Sequence, residues 1–253
     1  MAAKSGSIAR VAPAALALMG LAAFFPGLAA AEIGACSASA MGKVCSCDFT
    51  KLRPLQGAVG MNEVAYKRSQ ITNNPDKERK KLKKDPIKVV AGPGGQLFIT
   101  DHHHGAEAWL KAKTKFGATG FCEVVNAQKN LPSSFQSDDQ FWTALKDERL
   151  VRFKDKNGKD ITALPESLDA MGDDPYRSLA WLVRAKGGYC KSPSEFAEFQ
   201  WADWYRSKGL DVTNLPSNPK NQNETVSKAV DLAHTAEAKD RGLPGYSAGA
   251  CGM

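Results

Sequence analysis

The chain of 253 residues carries 34 Lys and Arg against 27 Asp and Glu, a formal charge of +7, with 43% hydrophobic and 8% aromatic residues. This composition excludes a disordered, collagenous or coiled-coil chain, and the length excludes a miniprotein held by disulfides alone. A positive balance of this size suits a polyanionic partner only where the charge is clustered.

The first 31 residues read as a secretory signal. Lys4 and Arg10 precede an apolar run over 11–25, and Ala29, Ala30 and Ala31 fit a small-residue cleavage site before Glu32. A retained anchor is the competing reading, but the run falls short of the roughly 20 residues a membrane span needs, and Pro26 follows it. The mature protein is therefore expected in the periplasm or the medium, free of the membrane. All six cysteines (Cys36, Cys45, Cys47, Cys122, Cys190 and Cys251) lie in that mature part. An even count in an oxidising compartment favours disulfides. Cys45 and Cys47 flank Ser46 in a strand; they are expected on opposite faces, and so to bridge different partners rather than each other. Zinc is the alternative, without any CxxC pair to support it. Cys251 is expected to staple the tail.

After a polar leader, residues 43–56 read as a strand ending at Pro54, and 60–72 as a helix from the spacing of Met61, Val64 and Ile71. A charged stretch over 73–85 follows. Residues 87–91, the turn Gly92-Pro93-Gly94-Gly95 and residues 96–100 make a β-hairpin. Its second strand runs into Asp101-His102-His103-His104-Gly105, then a helix over 106–113 and a strand over 119–126. Beyond these, Ser137, Asp138 and Asp139 offer caps for a helix reaching Glu148, and Lys156-Asn157-Gly158 turns a short strand pair over 149–162. Helices follow over 174–186, with Pro175 in the first turn, over 193–208 and over 224–239. The fold class is α+β: a small mixed sheet-and-helix unit over 43–127, with a helix-rich region over 128–253 packed on it. Trp201, Trp204 and Tyr205 stand at helical spacing and are expected in the core rather than stacked on bases.

The motif that carries chemistry is the run 101–105. Three of the four histidines stand together between a strand and a helix, where backbone N–H groups and a helix dipole favour an anion. Imidazoles titrate near neutrality and either bind phosphate or move protons. Asp101 is placed to orient a ring or hold a divalent cation. The competing readings are a surface loop without chemistry, or a metal site, although the HExxH spacing of a helical metal pair is absent.

The order strand, strand, then DHHHGAEAWL opening a helix resembles the signature of the ParB/sulfiredoxin-like superfamily. Upstream LRPLQGAVGMNEVAYK (52–67) and downstream DDPYRSLAWLVR (173–184) and FAEFQWADWYR (196–206) resemble its ParB-like nuclease branch. The resemblance spans about residues 43–206 and implies that the 43–127 unit has that superfamily's fold. It implies a phosphate-handling loop at 101–105, which cradles CTP in ParB proteins and carries a cysteine in sulfiredoxin. It also implies, from kinase relatives, that Glu63 acts as a base. This chain departs from the pattern: the loop has no cysteine, His102 replaces a glycine, and Gly105 stands where an arginine is frequent. Peroxiredoxin repair is thereby excluded, and tight triphosphate binding is disfavoured.

The expected function is a secreted ParB-like nuclease or phosphodiesterase acting on a phosphate-containing substrate, nucleic acid or nucleotide. His103 and His104 are expected as general acid and base, with Glu63 assisting. Gln56, Lys67, Asp101, His102, Gly105 and Arg177 are expected to hold substrate or its phosphate, with a divalent cation such as Mg on Asp101 and Glu63. Blander readings are a surface Glu63–Lys67 pair, a loop amide at Gln56 and an Arg177–Asp tie. The alternatives are a non-catalytic nucleotide- or nucleic-acid-binding module, or a nucleotide-dependent small-molecule kinase. The charge is clustered: residues 67–88 hold nine Lys and Arg against Asp76, Glu78 and Asp85. That segment reads either as a solvated loop or as an electrostatic funnel toward the histidines.

Overall fold

In a computed structural model, which describes Ala2 and residues 33–125 and 137–251, the segment 43–56 forms two strands rather than one. β1 (Val44–Asp48) ends where the Asp48 carboxylate accepts the Thr50 N–H, starting a single 3₁₀ turn, and β2 (Arg53–Pro54) follows. Downstream lie β3 (Ala58–Val59), β4 (Ile87–Ala91), β5 (Leu97–Asp101), β6 (Thr119–Val124) and β7 (Gly172–Asp173). The main sheet has the order β1-β6-β4-β5-β2, so one short stretch of chain supplies both its margins. β1–β6 and β4–β5 pair antiparallel, and β4–β6 and β2–β5 parallel. β3 and β7 pair parallel in a separate ribbon. The hairpin β4–β5 turns through Gly94 and Gly95, whose φ of +67° and +79° are open to glycine at no steric cost.

The helices are α1 (Met61–Asn73), α2 (Pro75–Lys84), α3 (His103–Ala112), α4 (Asp138–Asp147), α5 (Pro175–Ala185), α6 (Ala197–Ser207), α7 (Glu224–Ala233) and α8 (Ala236–Asp240). The charged stretch 73–85 is thus mostly helix, not loop. Asn74 caps it by accepting the Lys77 N–H, Pro75 stands in its first turn, and acids lead while lysines close. Each of these features matches the needs of a helix end or its dipole. α3 begins at His103 instead of at 106, so His103 and His104 belong to its first turn and His102 is its N-cap. The helix expected over 224–239 breaks at His234 and Thr235, where Thr235 caps α8.

One buried cluster joins the sheet to α1 and α3 through Val64, Ile71, Ile87, Ile99 and Trp109. A second, aromatic cluster joins α5, α6, α7 and α8 around Trp181, Tyr189, Trp201, Trp204 and Tyr205, which places those rings in the core. A third fills the space between the sheet and α4 through Phe98, Phe141 and Leu145. From Ile33 onward the chain belongs to one compact unit.

All six cysteines pair: Cys36–Cys45, Cys47–Cys122 and Cys190–Cys251. Cys45 and Cys47 do bridge different partners, but they do not lie on opposite faces. Both are buried, because residues two apart in a strand share a face. Position along the strand separates their partners: Cys45 meets the leading segment at Cys36, and Cys47 crosses to β6. Among the described residues no helix is long and apolar enough to cross a membrane. With the disulfides, this is compatible with an extracellular or periplasmic protein. The expected signal over 1–31, Ala2 apart, lies outside the described residues.

Candidate functional site

Gly60 decides where the site forms. A Cβ there would lie 2.7 Å from the Ser178 nitrogen, so only glycine lets the start of α1 abut the start of α5. The junction is tied by hydrogen bonds: the Met61 N–H donates to Asp173 Oδ1 (3.0 Å) and the Asn62 N–H to Ser178 Oγ (3.2 Å). Glu63, in the first turn of α1, is thereby set against Arg177, in the first turn of α5. Asp174 caps α5 by accepting the Tyr176 and Arg177 N–H groups. Arg206 holds the same carboxylate at 2.7 Å.

Glu63 is 4% exposed and Arg177 6%. The carboxylate lies 3.2 Å from Arg177 Nη1, 3.1 Å from Lys67 Nζ and 3.6 Å from His104 Nε2. Burial pushes its pKa up, but the Lys67 and Arg177 cations outweigh burial and hold it well below the usual carboxylate range. Glu63 is therefore a buried, ionised carboxylate.

The three histidines diverge: His103 and His104 are successive residues on α3, and His102 stands before the helix in the left-handed region. His103 Nε2 accepts the Leu55 N–H at 3.2 Å, and the Ile99 backbone bonds the same ring. His104 Nε2 accepts the Gly60 N–H at 3.0 Å. Burial pushes the His103 pKa down to about 3, helped by His102 and Arg177 and opposed by the Ile99 bond. Burial also drives His104 well below its ordinary value, with Glu63 opposing. Both rings are neutral, with Nε2 committed to the backbone around Glu63. His102, in the left-handed region at φ +70°, precedes the helix; its ring lies 3.5 Å from Asp101 and 3.8 Å from Asp85. Asp101 is 74% exposed at the side chain and accepts the His102 N–H at 2.6 Å.

An open cleft of about 780 Å³ gathers all nine residues singled out in the sequence: Gln56, Glu63, Lys67, Asp101, His102, His103, His104, Gly105 and Arg177. Glu63 and the buried histidines form its floor, and His102 and Asp101 its lip. Gln56 is buried and donates from Nε2 to the Ala58 carbonyl. The first turns of α1, α3, α5 and α6 each contribute lining residues to this cleft.

Residues 45–207 match the family described as "Putative ParB-like nuclease". This chain belongs to the ParB-like nuclease family. The ParB-like chain is also similar to the crystal structure of protein Atu1540 from Agrobacterium tumefaciens, at 30% identity and a TM-score of 0.63. That likeness covers 81% of this chain and 98% of the other. No curated protein matches it.

The ParB-like cleft also holds residues that sequence reasoning missed. Glu198 in α6 pairs with Arg184 of α5 and lies 3.9 Å from Arg177, extending the ionic row across the floor. Arg177 and Arg184 are seven residues apart, hence on one face of α5, which was a readable signal. Phe199 lies under the Arg177 guanidinium at 5.5 Å and under that of Arg152 at 4.1 Å. As for a divalent cation, Asp101 and Glu63 do not gather with a third ligand. Among the described residues, Cys36, Cys47 and Cys122 are the group of three close enough to share an ion, and each is in a disulfide. The residues do not fit a preformed metal centre.

Proposed function

We propose that this cleft hydrolyses phosphodiesters of nucleic acid or nucleotide, in a protein exported from the cytoplasm. The observation that carries the reading is the buried Glu63 carboxylate held between Lys67 and Arg177 in an open cleft. A substrate phosphate competes for those two cations. As it binds, it draws positive charge away from Glu63, and burial then raises the carboxyl toward a range useful for a base. Glu63 accepts a proton from water as the new P–O bond forms. Lys67, Arg177 and the α3 N-terminus stabilise charge on the phosphorane. The leaving oxygen departs with a proton from His102, the ring of the three that is open at the lip. His103 and His104, expected as acid and base, act in this reading as positioning residues: through the Leu55 and Gly60 amides they fix where α1 begins. Export is supported by the three disulfides.

The test is a panel of single-stranded DNA, RNA and bis(p-nitrophenyl) phosphate, with and without divalent ions. Wild type hydrolyses at least one substrate, and Glu63→Gln lowers kcat by about 10²–10⁴-fold. No hydrolysis of any substrate sinks the reading in favour of a non-catalytic binding module. Full activity in Glu63→Gln sinks the assignment of the base. His102→Gln lowers kcat without moving Tm, whereas His104→Ala lowers Tm.

A further inference from the structure

We infer that the cationic face of α2 is a rail for a single nucleic-acid strand, leading one of its phosphates down into the cleft. This rests on the phosphodiester reading above and adds a strand preference that the reading alone does not contain.

α2 has three distinct faces. Leu82 is buried, and Arg79 lies over Phe116 and Phe121, at 4.4 and 4.7 Å, while donating to the Thr119 carbonyl at 2.9 Å. These residues turn one face inward. Glu78, Lys81 and Asp85 turn a second face to the cleft, where they form part of its wall. The third face presents Lys77, Lys80 and Lys84, spaced i, i+3 and i+7, hence aligned along the helix. All three are exposed, and none forms an ion pair among the described residues. Aligned lysines without acidic partners repel one another, and a polyanion relieves that repulsion.

The shape of the site selects the partner. An anionic membrane is disfavoured because the large apolar side chain of α2, Leu82, is buried and leaves nothing to insert. A duplex carries its phosphates on a stiff outer surface, whereas Glu63, His103 and His104 are only 4%, 4% and 7% exposed at the cleft floor. A flexible single strand can lower one phosphate that far. Half-buried Tyr66 and Phe196 in the wall offer ring faces on which its bases can stack.

The experiment is fluorescence anisotropy with a phosphorothioate oligonucleotide of about twelve nucleotides. It is measured single-stranded and as a duplex between about 50 and about 200 mM salt. The expected result is single-strand binding at least about tenfold tighter than duplex binding. In Lys77→Gln/Lys80→Gln/Lys84→Gln, the slope of log affinity against log salt becomes shallower by about 2, or about 0.7 for each lost contact. Equal or tighter duplex binding, an unchanged slope, or stronger binding to vesicles rich in anionic lipid overturns the rail. Strand binding with the expected slope but no hydrolysis keeps the rail and sinks the hydrolase reading. Hydrolysis of bis(p-nitrophenyl) phosphate without strand binding does the reverse.

Discussion

The sheet region buries mainly aliphatic side chains, among them Val59, Val64, Ile71, Ile87, Val89 and Ile99, and carries two of the three disulfides. The helical region after residue 170 buries Trp181, Tyr189, Trp201, Trp204 and Tyr205 and carries the third disulfide. Neither region contains the site. The carboxylate and the imidazoles come from the first, and the guanidiniums from the second. They meet where Gly60 touches Ser178, where β3 pairs with β7, and where Glu63 faces Arg177. Chemistry located at such a seam depends on alignment between two cores more than on the stability of either.

Removing Cys47–Cys122 should have the largest effect on this comparison. The bridge spans 75 residues, and its loss through Cys47→Ala/Cys122→Ala should cost about 4 kcal/mol in urea titration. The near-UV dichroism of the helical region should persist until the transition; its loss in the native baseline would show that the two regions are one cooperative core. Next comes Gly60→Ala, which drives a Cβ into the Ser178 backbone. It should cost about 1–3 kcal/mol and lower turnover about a hundredfold by moving Glu63 off Arg177. Unchanged turnover would mean that the seam does not set the geometry. The smallest effect, read over a single pH unit, is the acid limb. The His103 pKa is about 3 in the fold, against about 6.5 unfolded, so the unfolded chain binds more protons between those values. Stability should therefore decrease as pH is lowered through that window, by roughly 1.4 kcal/mol per unit from this group. His103→Gln should flatten that part of the slope in a pH series of thermal melts.

Much of this was legible in the sequence. The Gly92 to Gly95 hairpin, the Ser137 cap and the Asp174-Pro175 entry into α5 announce themselves through local chemistry. α2 was legible too, since Asn74-Pro75 and its charge order are helix signals, but its single buried apolar residue gave no periodicity to find. The run 101–105 led to this cleft because a strand-to-helix junction is set locally. What its histidines do there was not legible. The Leu55 and Gly60 amides that occupy His103 and His104 lie more than forty positions away. The Glu198–Arg184 pair likewise depends on how α6 docks on α5, which no local spacing encodes.

The short disulfide Cys36–Cys45 has a consequence beyond its modest loop entropy. The outer side of β1 would otherwise offer unpaired N–H and C=O groups as a template for a strand from another molecule. Instead, the Cys36 N–H donates to the Ser46 carbonyl, and the Ser46 N–H donates to the Gly34 carbonyl. The disulfide fastens that covering segment in place. At the far margin, β2 is two residues long and ends in Pro54, which has no N–H to offer. The sheet is closed to recruitment on both sides, so opening Cys36–Cys45 would endanger solubility before it endangered the fold.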